Sequence, residues 1–185
     1  GTVTSATLRL YTSSSSATGY QVRRVNTQSW EEGSITFNNA PAVGALIGSS
    51  GNFASGNWTS VDVSALITGS GVYDLAITTT SSSTMNFNSR DASVNRPELV
   101  IQTSAGVSTP TATPTLPPTL TATRTPTATS VITATFTPTQ IATIPGTLTF
   151  TALADARVSQ ALPSTNYGTS TNLQAGASAG TAQIS

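Results

Sequence analysis

Apolar and polar residues alternate along short stretches through residues 3–103. In SATLRLYT, Ala6, Leu8 and Leu10 alternate with Thr7, Arg9 and Tyr11, the two-residue period of a half-buried strand. YQVRRV, SITF, WTSVDV, VYDLAIT, MNFNS and PELVIQT follow, each short and rich in Val, Ile, Thr, Tyr or Phe. Clusters such as SSSSATG, NNAP, GSSGN and TGSG separate them and supply turn residues. Strands at this spacing predict an all-β fold, an antiparallel β-sandwich or jelly roll. Leu8, Leu10, Val61, Val63, Leu75, Ile77, Leu99 and Ile101 are its predicted inward residues. Only VSALITG has room for a helical turn.

Residues 105–146 break the pattern. They hold seven of the ten prolines, many Thr and a single charge, Arg124. So few large apolar side chains cannot offset the entropy of folding alone. From Thr109 to Thr139 every odd position is Thr except Pro117 and Val131, and the phase runs on into Thr147, Thr149 and Thr151. One reading is expansion of a P-T-A-T tetrad with no structural meaning. The other is an extended strand with hydroxyls on one face and apolar groups on the other. Ser/Thr/Pro tracts of this kind are typical of O-glycosylated stalks. Thr109, Thr111, Thr113, Thr121, Thr123, Thr125, Thr127, Thr133, Thr135 and Thr137 are the candidate glycosylation sites.

Residues 147–185 resume strand-like sequence in GTLTFTALADARVSQ and NLQAGA, on either side of the turn-rich PSTNYGTST. The segment is too short and polar to bury a core of its own. The expected organisation is therefore the C-terminal part of one sandwich (1–104), a Thr/Pro-rich connector (105–146), and the N-terminal part of the next sandwich (147–185). The chain reads as a slice of a longer protein.

Composition narrows the function. Of 185 residues, 8 % are charged, with no Lys, so the surface must be clothed in Ser, Thr, Gly and Asn, and long helices are not expected. Net charge is zero, which favours neither nucleic acid nor an anionic membrane. No apolar run approaches the roughly 20 residues of a membrane helix, so no membrane insertion is expected. Absence of Cys and His removes thiol chemistry, the commonest general base and the commonest transition-metal ligands. No cofactor or metal is expected.

Residues 154–176, ADARVSQALPSTNYGTSTNLQAG, resemble the opening of the DNRLRE-type module, a β-sandwich of large secreted bacterial and archaeal proteins. Asp155, Val158, Pro163, Asn166, Tyr167, Gly168, Leu173 and Gly176 match its order of residues. TSATLRLYT, WEEGSITFNNAP, WTSVDVSALITG and FNSRDASVNRPELVI are similar to the rest of that module. Read circularly, the chain is then the back of one module, a connector and the front of the next. The resemblance implies a non-catalytic extracellular or cell-surface protein. Some members are similar to carbohydrate-binding modules for acidic polysaccharides such as alginate, which implies basic side chains and an aromatic platform on an exposed face.

Candidate site residues are few. The carboxylates are Glu31, Glu32, Asp62, Asp74, Asp91, Glu98 and Asp155. Nothing in their spacing sets up the facing pair that glycoside hydrolysis needs, so no catalytic residue is assigned. Arg9 and Tyr11 share a strand face and are candidate carbohydrate contacts; Arg23, Arg24 and Tyr20 are possible additions to that patch. Arg90 either binds a saccharide carboxylate or pairs with a protein carboxylate. Trp30 and Trp58 either stack on sugar rings or plug the core. Asn166-Tyr167-Gly168 reads as a turn in which Gly168 supplies positive φ. Asn57-Trp58-Thr59 is the one N-glycosylation sequon.

Two function classes follow. The first is a structural subunit of an extracellular filament, stalk or surface array, whose partners are copies of itself joined head-to-tail by sandwich completion. The second is a carbohydrate-binding module of a larger secreted protein, with polysaccharide as partner.

Overall fold

The computed structural model describes residues 1–26, 30–105, 145–176 and 181–184. The ten candidate glycosylation threonines lie outside the described residues. The described part contains eleven strands and no helix. They are β1 (Val3–Tyr11), β2 (Gln21–Val25), β3 (Val43–Ser49), β4 (Trp58–Asp62), β5 (Leu75–Thr78), β6 (Met85–Asn88), β7 (Glu98–Thr103), β8 (Gly146–Thr151), β9 (Asp155–Val158), β10 (Asn172–Ala175) and β11 (Thr181–Ile184).

One sheet runs β4-β1-β7-β8 and the other β3-β2-β5-β11-β9, with β10-β6 as a short two-stranded piece. An antiparallel bridge between Thr12 and Phe87 joins that piece to the end of β1. Between the sheets lies one apolar core, as the alternation in β1 demands. Ala6, Leu8 and Leu10 are buried there with Val22, Val61, Val63, Leu75, Ile77 and Phe87. Each Val, Leu, Ile or Phe side chain among them contributes roughly 1.5–3 kcal/mol on leaving water. Tyr20 and Phe87 meet edge to face, 5.0 Å between centroids. The Tyr20 hydroxyl donates to Thr59 Oγ1 at 2.8 Å, and the Thr59 hydroxyl donates in turn to Leu10 O at 3.1 Å. Burial pushes the Tyr20 phenol up to about 12.

The described residues after the connector, 145–176 and 181–184, pair with strands of residues 1–104. β11 inserts between β5 and β9, β10 pairs with β6, and β8 extends the first sheet beside β7. Leu173, Ala175 and Ile184 are buried in the same core as Leu8 and Ile77. The physical reason is the one that made the segment look incomplete: its apolar residues need a surface, and residues 1–104 present unpaired strand edges that template pairing. β7 and β8 pair with Thr103 opposite Gly146.

One local expectation also changes. SITF forms no strand. Ile35 N–H donates to Glu31 O at 2.9 Å in a turn, and the Ile35 side chain enters a small second cluster with Ala156 and Val158. VGALIGS, which carries two glycines and little periodicity, nonetheless forms β3. In VSALITG a single turn does close, with Ile67 N–H bonding Val63 O at 3.1 Å.

Candidate functional site

In β1 the outward residues are Thr7, Arg9 and Tyr11; in β4 they are Trp58, Ser60 and Asp62. Register places Tyr11 opposite Trp58 and Arg9 opposite Ser60 on one side, and Arg9 opposite Glu98 of β7 on the other. One end of the outer sheet face therefore gathers Trp58, Tyr11, Arg9 and Glu98. Arg9 Nη1 reaches Glu98 Oε2 at 2.8 Å. The Arg9 guanidinium sits 4.6 Å from the Trp58 ring centroid, within cation–π range. Tyr11 meets Trp58 edge-on, with centroids 5.6 Å apart.

Each member has a reason to be there. Sheet pleat turns every second residue of β1 outward. The ion pair fixes the long Arg9 chain, and the aromatic pair holds the Trp58 ring against the sheet. What results is a flat face with an aromatic surface, a cationic donor fork and a carboxylate acceptor. Sugar rings need those groups: apolar C–H faces lie on aromatics, and hydroxyls both donate and accept. Beyond the cluster the face continues in Ser60, Thr7 and the exposed Thr147, Thr149 and Thr151 of β8.

The remaining sequence candidates lie elsewhere. Tyr20 is a core residue and joins no surface patch. Arg23 is on the other sheet, where its Nη2 and Nε donate to Gln21 Oε1 at 2.9 and 3.2 Å. Arg24, next to it on β2, is exposed. Trp30 donates from Nε1 to Asp74 Oδ1 at 3.2 Å and packs against Ile35, Ala156 and Val158. Trp58 was the residue hardest to place from sequence. Its neighbour Arg9 is 49 positions away, and only strand pairing brings them together.

Arg90 belongs to a different cluster. Its Nε bonds Glu32 Oε1 at 2.8 Å and its Nη1 donates to Leu153 O at 2.5 Å. Its backbone N–H donates to Asp155 Oδ2 at 2.7 Å, while Asp155 N–H donates to Glu32 Oε1 at 3.0 Å. Asp155 is 1 % exposed, and its Oδ1 has no partner in the structure. Burial, with the nearby Glu32 and Asp91 carboxylates, pushes its carboxyl up to about 7 against the opposing bond from Arg90 N–H. These contacts bind the tail of the chain to the loops around residues 32 and 90.

Asn166 strengthens the same junction, donating from Nδ2 to both Glu32 O and Ile35 O at 2.7 Å. Gly168 lies in the expected turn, its N–H donating to Asn166 Oδ1 at 3.1 Å, but its φ is not positive. It is a glycine because a Cβ there would lie 2.1 Å from Glu32 O. Arg157 and Tyr167 form a further cation–π pair at 4.1 Å, and Arg157 also bonds Gln174. Among the described residues no group of three His, Cys, Asp or Glu side chains is placed to hold a metal. With no helix among the described residues, none there is long and apolar enough to cross a membrane.

The fold is an all-β module whose outer sheet face carries Trp58, Tyr11, Arg9 and Glu98. Residues 1–103 match carbohydrate-binding module family 96, and the chain belongs to that family. The match ends at the close of β7, so β8–β11 lie beyond it. No curated protein and no solved structure matches the chain.

Proposed function

We propose that this chain is a non-catalytic, extracellular module that holds polysaccharide on the outer face of the β4-β1-β7-β8 sheet. The observation that carries the reading is the cluster of Arg9, Trp58, Tyr11 and Glu98 on that face, in a chain of a carbohydrate-binding family. Trp58 and Tyr11 supply the apolar surface for a pyranose ring. Arg9 and Glu98 supply a donor and an acceptor for ring hydroxyls, and Arg9 is the group that meets a uronate carboxylate. Arg90, tied to Glu32, acts in holding the fold. Affinity electrophoresis of the intact chain against neutral and uronate-containing polysaccharides tests this. Retarded migration in at least one gel is the expected result, and unretarded migration in all of them would end the proposal.

A structural role is a second reading, favoured by one observation. Thr103 and Gly146 are hydrogen-bonded register partners although 43 positions separate them, where a two-residue turn would suffice to join antiparallel strands. So long a connection also permits residues 146–184 to complete the sandwich of a neighbouring copy, head to tail, and heterologous contacts of that kind propagate as filaments. Light scattering on material refolded at high concentration tests it. Oligomers that persist on dilution support exchange, and monomer at every concentration rules it out.

A further inference from the structure

The two sheets do not close along their whole length. Between β7 and β8 on one side and the loop before β5 on the other, an apolar cleft of about 650 Å³ opens to the surface. Leu99, Ile101, Tyr73, Leu148 and Phe150 line it. Leu148 and Phe150 are each 50 % exposed, and Leu153 beside them is 71 % exposed. All six residues of β8 are exposed, and β8 is the outermost strand of its sheet.

Natural sheets blunt their edges with charges, bulges or prolines. In the four- and five-stranded sheets, the outer strands other than β8 do so. β3 carries register shifts against β2, β4 ends in Asp62, and β9 carries Asp155 and Arg157. β8, GTLTFT, has no charge and no proline, and it pairs with β7 one-to-one without a shift. Among the described edge strands that lack these features, β8 is exposed along its whole length, whereas β10 buries Leu173 and Ala175.

We infer that β8 pairs antiparallel with β8 of a second copy, about a two-fold axis through Thr149. The strand is complementary to itself in that register. Leu148 lies opposite Phe150 on the inner side, so each copy's apolar pair covers the open cleft of the other. Thr149 faces Thr149 and Thr147 faces Thr151 on the outer side, a favourable cross-strand match of β-branched hydroxyl residues. No charge opposes the approach. The contact is isologous and closes on itself, so it yields a dimer and no fibre. With six residues a side the interface is small, and the dimer belongs to the weak, transient class, with a dissociation constant of roughly 10–1,000 µM. A two-fold axis perpendicular to the sheet sets the two outer faces side by side. If those faces bind polysaccharide as proposed above, the dimer is bivalent; the pairing itself does not depend on that reading.

The chain has no cysteine, which makes the register directly testable in the full-length protein. Antiparallel partners have Cα atoms about 4.5–5.5 Å apart, within disulfide reach. Thr149→Cys should oxidise to a covalent dimer at least 10-fold faster than Thr147→Cys, whose own copy is displaced by four residues along the strand. Thr147→Cys mixed with Thr151→Cys should link as readily as Thr149→Cys alone. Leu148→Lys, placing a charge in the cleft, should abolish dimer in sedimentation equilibrium while leaving the circular dichroism spectrum unchanged. Equal cross-linking of the Thr147 and Thr149 variants would overturn the inference, as exchange of the whole tail between copies would produce. Monomer alone up to 1 mM, as when another segment of the same chain fills the cleft, would overturn it too.

Discussion

The guanidinium of Arg9 lies 4.6 Å from the ring centroid of Trp58 while it bonds Glu98 at 2.8 Å. One arginine thus links an aromatic ring on β4 to a carboxylate on β7, across the strand that carries it. Its side chain keeps 35 % of its exposure, so the donor fork still meets solvent.

Replacing Trp58 with Ala, or Arg9 with Ala, should weaken polysaccharide binding roughly 10- to 100-fold, equivalent to about 1.4–2.8 kcal/mol. An exposed cation–π pair and one ion pair contribute only about 1 kcal/mol each to folding, so thermal stability should change little. Affinity electrophoresis beside a thermal scan separates the two. Unchanged migration of both variants would remove the site from this face.

Stability should depend on pH through Asp155. Its folded carboxyl titrates at about 7, above the ordinary 3.8, so the folded state binds more protons than the unfolded chain between those values. This contribution is full below about pH 4 and is lost as pH rises to 7, at most about 4 kcal/mol for three units. Glu32, Asp91 and Arg90 face the same carboxyl, so the comparison with Asp155→Asn is the clean one. The melting temperature of Asp155→Asn relative to the parent should rise from pH 5 to pH 8. A constant difference across that range would show that Asp155 titrates normally.

Gly168→Ala should destabilise the junction between the 30s loop and the tail. The new Cβ would meet Glu32 O at 2.1 Å, and backbone cannot yield as a flexible side chain does. A loss of roughly 1–3 kcal/mol is expected, as for overpacked sites, measured by urea unfolding. A variant as stable as the parent would mean that the loop is free to shift.

The tail is part of the core, so residues 1–104 alone should fail to give a cooperative unfolding transition. Leu173, 1 % exposed, is the sharper probe. Leu173→Ala should lower stability by about 2–5 kcal/mol. A cooperative transition in residues 1–104, matching that of the whole chain, would show that β8–β11 are dispensable.

Strand character was legible in the sequence because it is local. Period-two alternation alone set Leu8 and Leu10 inward and Arg9 outward beside Tyr11, and the burial of Val61 and Val63 follows the same rule, whereas in β5 Leu75, Ala76 and Ile77 are all buried. Pairing is not local. Trp58 reaches Arg9, Glu98 reaches Arg9, and β11 reaches β5 only through register between segments far apart in the chain. SITF alternates like a strand, yet Ile35 is buried against Ala156 and Val158 from a turn. The same competition decided the fate of residues 146–184. Sequence showed that they could not bury themselves. Only the tertiary structure, where open edges of β5, β6 and β7 meet apolar strands in need of cover, shows which strands they pair with.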